Sequence, residues 1–236
     1  MKKTNITLLV LVSLLAISAK AQIVTHSLSG RVSEIYREPN GTPATSSVFS
    51  IGGPFSLSFS YDLAAEPIDS YVNPATSLSV ANYNSGSLLF KYNGGAYVVS
   101  ASLVNYQIIN NSSDGDYFRI NYVGGVVSFP PVDGYSPDLN WPGFNLQLQD
   151  TSGLFLASEA LPGALSLDAF DGGFNGVNNY VALRYGERAA YNIAFRIDSI
   201  DAVAVPEPST YGIGGALLAI SLIIAKRRNK EPNLAL

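Results

Sequence analysis

The chain contains one histidine, His26, and no cysteine, which narrows its possible chemistry at once. A serine hydrolase needs a general base beside its nucleophile. His26 is the only histidine that could serve, and no Gly-x-Ser-x-Gly elbow accompanies it. Thiolate nucleophiles, disulfides and cysteine-based zinc sites are excluded, and one histidine is too few for a histidine-based zinc site. Two carboxylates could act as the acid and base of a glycosidase. Between Gln22 and Val205, however, sixteen Asp/Glu residues make some close pair a matter of chance. Calcium is a better-motivated ligand. Asp114 and Asp116 flank Gly115, and Asp168 and Asp171 precede Gly172-Gly173. Hard oxygen ligands on glycine-bearing loops suit Ca²⁺. Asp-Gly-Asp is equally an ordinary turn, and the spacing is not that of an EF-hand loop. Tyr135 and Trp141, near Asn140 and Asn145, could present rings and amides to a sugar, or they could cap the core.

The elements that would hold these residues read as strands. Apolar residues recur at period two, broken by Gly, Asn, Asp and Pro clusters, and no convincing helix interrupts them. Strands are expected over Ile23–Tyr36, Phe55–Tyr61, Ser77–Tyr83, Leu88–Tyr92, Ala96–Ile109, Tyr117–Val123, Phe144–Gln149, Asn179–Tyr185 and Ala190–Ala202. Phe55, Leu57, Phe59 and Tyr61 share one face of the second, with three serines on the other, so a one-residue slip would bury serines. Phe144, Leu146 and Leu148 should point inward and Asn145, Gln147 and Gln149 outward. In the last strand Tyr191, Ile193, Phe195 and Ile197 oppose Asn192, Arg196 and Asp198. Asn84-Ser85-Gly86 and Asn93-Gly94-Gly95 read as hairpin turns. Glu66–Pro74 reads as a loop, Leu161–Phe170 leaves room for a helical turn, and Pro130–Gly143 should pack over one end. About nine short strands, each with one polar face, predict an all-β, two-layer antiparallel sandwich. A jelly-roll order is the first expectation and an immunoglobulin-like order the second.

Both ends differ from the body. Lys2 and Lys3, the apolar run Ile6–Ile17 and Ala19-Lys20-Ala21 make residues 1–21 a secretory signal peptide, with Gln22 as the mature N-terminus. Residues 22–205 carry seven Lys/Arg against sixteen Asp/Glu, a net charge of −9. Such a balance does not favour nucleic acid or anionic lipid as partners. It suits an exported domain, here residues 22–202, whose surface is built from Ser, Asn, Gly and Tyr.

Near the C-terminus three features follow in order: Val205-Pro206-Glu207-Pro208-Ser209-Thr210, the uncharged run Tyr211–Ala225, and Lys226-Arg227-Arg228. The two prolines keep the first segment extended. The second must be helical if it enters lipid, and at ~1.5 Å per residue it would reach ~22 Å, short of a ~30 Å hydrocarbon core. The basic cluster would stay cytoplasmic, with residues 231–236 as a short tail. A single C-terminal transmembrane helix is therefore expected.

This layout, residues 203–230, resembles the PEP-CTERM sorting signal of bacterial exported proteins. The resemblance implies that Pro206, Glu207 and Pro208 are recognised by an exosortase, after passage through the secretion translocon and cleavage by signal peptidase. It implies transient anchorage in the inner membrane and delivery to the cell surface or exopolysaccharide matrix. The alternative for the tail is a plain anchor behind a proline-rich linker. For the body, two functions compete. One is a non-catalytic surface or matrix protein contacting polysaccharide, without a cofactor unless Ca²⁺; the other is an exported glycan-active enzyme. The absence of a usable histidine, of cysteine and of any nucleophile motif favours the first.

Overall fold

The period-two pattern folds as strands. The computed structural model describes residues 22–37, 41–132, 134–137, 144–156, 158–171, 173–174, 177–186 and 191–204. Its strands are β1 (Ile23–Arg37), β2 (Thr42–Pro43), β3 (Pro54–Asp62), β4 (Asp69–Val72), β5 (Ser79–Ser85), β6 (Ser87–Tyr92), β7 (Tyr97–Ser112), β8 (Gly115–Val127), β9 (Phe144–Asp150), β10 (Gly173–Phe174), β11 (Val177–Asn178), β12 (Tyr180–Tyr185) and β13 (Tyr191–Ala204). Helical structure among the described residues is confined to two short 3₁₀ turns, Asn93–Gly95 and Leu167–Ala169.

The expected sandwich is not formed. Antiparallel pairing runs β1–β3–β6–β7–β8–β9–β12–β13 and returns from β13 to β1, so eight strands close an up-and-down barrel. A sandwich, whether jelly-roll or immunoglobulin-like, keeps open sheet edges; here the first and last strands pair from Val24↔Ala204 to Arg37↔Tyr191. Closure needs strong local bending, and register shifts supply it in β1 between Ser29 and Gly30 and again between Val32 and Glu34. Gly30 allows the first: a Cβ there would lie 2.0 Å from the Arg196 carbonyl oxygen. Three more shifts bend the β7–β8 pair.

A second correction concerns Asn84-Ser85-Gly86. It is not a hairpin. β5 and β6 continue in one line, and both pair with β7 in the same register, Ser85↔Val104 and Leu88↔Ala101. Gly86 (φ +61°) lies where β3 parts from β6, next to their last pair Ser60↔Ser87, and a Cβ would stand 1.6 Å from the Ser60 carbonyl oxygen. Beyond that point β4 takes up pairing with β5, Asp69↔Asn82 to Val72↔Ser79, within the segment expected as loop. Asn93-Gly94-Gly95 does turn β6 into β7, with all three residues at positive φ.

An eight-stranded barrel is just wide enough for side chains to fill it. Phe55, Leu57, Phe59, Tyr61, Phe144, Leu146, Leu148, Tyr191, Ile193, Phe195 and Ile197 are all buried, as their alternation predicts. Phe90 packs 5.2 Å from Phe195, 5.5 Å from Phe55 and 5.7 Å from Phe144, ring centre to ring centre. Phe49 from the β2–β3 connection and Phe129 after β8 stack at 5.5 Å and close one end. The segment between β9 and β12 closes the other with buried Leu156, Leu161, Leu165 and Phe170. Outward positions carry Ser56, Ser58, Ser60, Asn105, Gln107, Asn145, Gln147 and Arg196. That is the reverse of a lipid-facing barrel, whose apolar band points out.

No helix among the described residues is long and apolar enough to cross a membrane. The expected C-terminal span, 211–225, lies outside the described residues, as do the signal peptide, 1–21, and Pro206, Glu207 and Pro208.

Candidate functional site

His26 sits inside the barrel, fully buried, with its ring centre 5.3 Å from Phe59 and 5.4 Å from Tyr61. Tyr61 donates its hydroxyl proton to the Pro162 carbonyl at 2.7 Å, so it accepts from His26 Nε2–H at 2.8 Å. Nδ1 is left as a lone pair with no partner among the described residues. A proton added there would be a buried cation with no acceptor, and burial lowers the histidine to about 4. The side chain ties the barrel to the segment that covers its end, and no serine or carboxylate hydrogen-bonds to it among the described residues.

Asp114 and Asp116 have different surroundings. Asp114 is exposed; its oxygens accept the hydroxyls of Ser112 (2.6 Å) and Tyr117. Those bonds hold it below the ordinary carboxylate range. Asp116 is fully buried, accepts the Asn111 amide at 2.8 Å, and pairs across strands with Asp150. Its Oδ2 has no partner among the described residues. For Asp150, burial opposes ionisation, but bonds from Ser152, Leu154 and Phe155 outweigh it and lower its pKa. Asp171 accepts the amide and hydroxyl of Thr151, both at 2.7 Å, and Asp168 lies in the 3₁₀ turn. Among the described residues no group of three or more His, Asp or Glu side chains could hold a metal ion. Tyr135 is 43% exposed on a tight turn bridged to Val132, whereas Trp141 and Asn140 lie outside the described residues.

What the alternation does place together is the outer wall. Asn145 on β9 donates to Asn121 on β8 (3.1 Å), Asn121 to Gln107 on β7 (3.2 Å), Gln107 to Asn82 on β5 (3.0 Å), and Asn82 to the Asp69 carboxylate on β4. Each amide donates in the same direction toward a negative charge, which polarises the chain and strengthens it. At its head Asn145 Oδ1 has no partner among the described residues.

A second row crosses the wall beside it. Register sets Arg119 opposite Gln147, Gln147 opposite Tyr180, Tyr180 opposite Arg196, and Arg196 opposite Arg31. The Arg119 guanidinium lies 4.2 Å over the Tyr117 ring. Burial lowers the Arg119 pKa, while Tyr117, Tyr180 and Asp114 act in the opposite direction. Asp198 accepts from Arg31 at 2.7 Å and Arg196 at 3.1 Å. At the other end of the amide chain, a groove of about 420 Å³ runs between β4–β5 and residues 158–160, with Tyr71 at 58% exposure and Glu159 among its lining.

Neither row was singled out from sequence. The polar alternation of Asn145-Leu146-Gln147 and Arg196 carries half the signal; which strands lie side by side is the other half. Comparisons with protein-family models, with curated proteins and with solved structures find no match.

Proposed function

We propose that this chain is an exported, non-catalytic surface or extracellular-matrix protein, delivered by a PEP-CTERM-type sorting signal, whose barrel contacts polysaccharide. One observation carries the destination: Pro206-Glu207-Pro208, the apolar run 211–225 and Lys226-Arg227-Arg228 occur together and in order. Its processing partners are the secretion translocon, signal peptidase and an exosortase-type enzyme. The contact with polysaccharide is supported by the wall, where amides and hydroxyls replace the lysines and glutamates of an ordinary surface. Amides both donate and accept, which suits sugar hydroxyls.

Glu207→Gln tests the sorting role. It removes one charge and keeps the shape. The unprocessed precursor should accumulate in the membrane fraction, and mass spectrometry should show its C-terminus intact. Unchanged processing would mean that the carboxylate is not read.

A further inference from the structure

We propose that the wall formed by β8, β9, β12, β13 and β1 binds an anionic polysaccharide through the row Arg119–Gln147–Tyr180–Arg196–Arg31, with Arg184 beside it. This deepens the polysaccharide reading above and rests on it.

Charge distribution is the first argument. Residues 22–205 carry a net −9, yet four of their seven Lys/Arg face outward on these five strands. Acidic residues on the same strands, apart from the buried Asp116 and Asp150, are Glu34, Asp198 and Asp201. Asp198 is already shared between Arg31 and Arg196, so that group of three keeps one net positive charge. The wall is locally cationic on an acidic domain, its charges offset in part by Asp198 and, near Arg119, by Asp114.

Unmet hydrogen bonding is the second. Six buried side-chain polar atoms have no partner among the described residues, and three of them belong to this wall: Arg119 Nε, Arg184 Nε and Asn145 Oδ1. Buried donors and acceptors are normally satisfied. A bound group that supplies acceptors to both guanidinium groups would complete them. Carboxylates do so in bidentate geometry. The hydroxyls of the same sugar could donate to Asn145 and accept from Gln147.

Geometry is the third. Neighbouring strands lie ~4.8 Å apart, so the row from Arg119 to Arg31 crosses four gaps, about 19 Å. A polymer with a carboxylate at regular intervals could meet Arg119, Arg196 and Arg31 in turn along the row, and Arg184, four residues along β12 from Tyr180, from its side. Tyr180, itself buried, shares the row with Arg119 and the strand with Arg184, and feels the charge of both. Ala182 and Ala194, opposite one another, keep the surface low beside the row. Arg31 and Arg196 remain 56% and 54% exposed. Nucleic acid is a poorer fit for the unpartnered Asn145 Oδ1, which needs a donor: sugar hydroxyls supply one and a phosphodiester backbone does not.

The test uses three immobilised probes: polygalacturonate, dextran and single-stranded DNA. The chain should be retained on polygalacturonate and not on dextran, and retention should fall as salt rises from 0.05 to 1 M, since screening shortens the reach of these charges. Arg119→Gln combined with Arg184→Gln should weaken retention at least tenfold. Lys91→Gln, on β6, should leave it unchanged. If the double variant fails to fold, Arg196→Gln repeats the test at a half-exposed position. Equal, salt-insensitive retention on dextran would overturn the anionic row while leaving polysaccharide contact standing. Tighter retention on DNA than on polygalacturonate would also overturn the proposal, as would polygalacturonate binding indifferent to both Arg variants. Retention on neither polysaccharide would overturn the proposal and the polysaccharide contact together, and the Glu207 processing result would still stand apart.

Discussion

Acid should loosen this barrel through one residue. His26 is neutral in the folded state, because burial lowers it from 6.5 to about 4. The unfolded chain titrates near the ordinary value, so between pH 6.5 and about 4 it binds a proton that the folded chain refuses. Stability therefore falls as pH drops through this window and levels off below about 4. At ~1.36 kcal/mol per pH unit, the full effect is about 3 kcal/mol. About 2 kcal/mol of it is lost by pH 5, where carboxylates contribute little. Urea denaturation at pH 8 and pH 5 would measure it. His26→Phe removes the titrating group, keeps an aromatic ring against Phe59, and leaves Tyr61 bonded to Pro162. Its stability should change by less than 0.5 kcal/mol, on the order of a neutral surface change, over the same interval. Equal losses in wild type and variant would refute the reasoning, because the acid sensitivity would then come from elsewhere.

Two further substitutions test the packing. Phe90→Ala empties the centre of the ring cluster at a position with no solvent exposure, and should cost about 3–5 kcal/mol in urea denaturation; a cost below about 1 kcal/mol would mean the interior is not built around this ring. Asp150→Ala strips Ser152, Leu154 and Phe155 of their acceptor, so limited proteolysis should cut the 151–171 segment first, before global unfolding. Unchanged cleavage would show that Asp150 does not hold this covering segment in place.

The correction from sandwich to barrel has a physical origin. Phe55, Leu57, Phe59 and Tyr61 announce a buried face, and so do Phe144, Leu146 and Leu148. Either architecture buries those faces. The difference lies in whether Arg31 meets Arg196, a pairing between residues far apart in the chain. It depends on accumulated twist and on bulges such as the one at Gly30. The same limit hid β4, whose four residues are all exposed and carry no alternation to read. It also misread Gly86, where a turn-forming residue serves a close approach between strands. For the site, Asn145, Gln147 and Arg196 could each be assigned to the polar side, and Asp114 with Asp116 looked like a pair. The fold leaves Asp114 exposed, buries Asp116, and aligns the others.

Local chemistry alone settled which residues go inward, that the structure is nearly all strand, and that histidine and cysteine chemistry is scarce. It could do so because side-chain direction in a strand alternates with the chain itself. Which strands become neighbours, whether the sheet closes, and which arginines share a row emerged only in three dimensions. Those relations are long-range: they arise from pairing and bending summed over the whole sheet, and no short stretch of residues contains them.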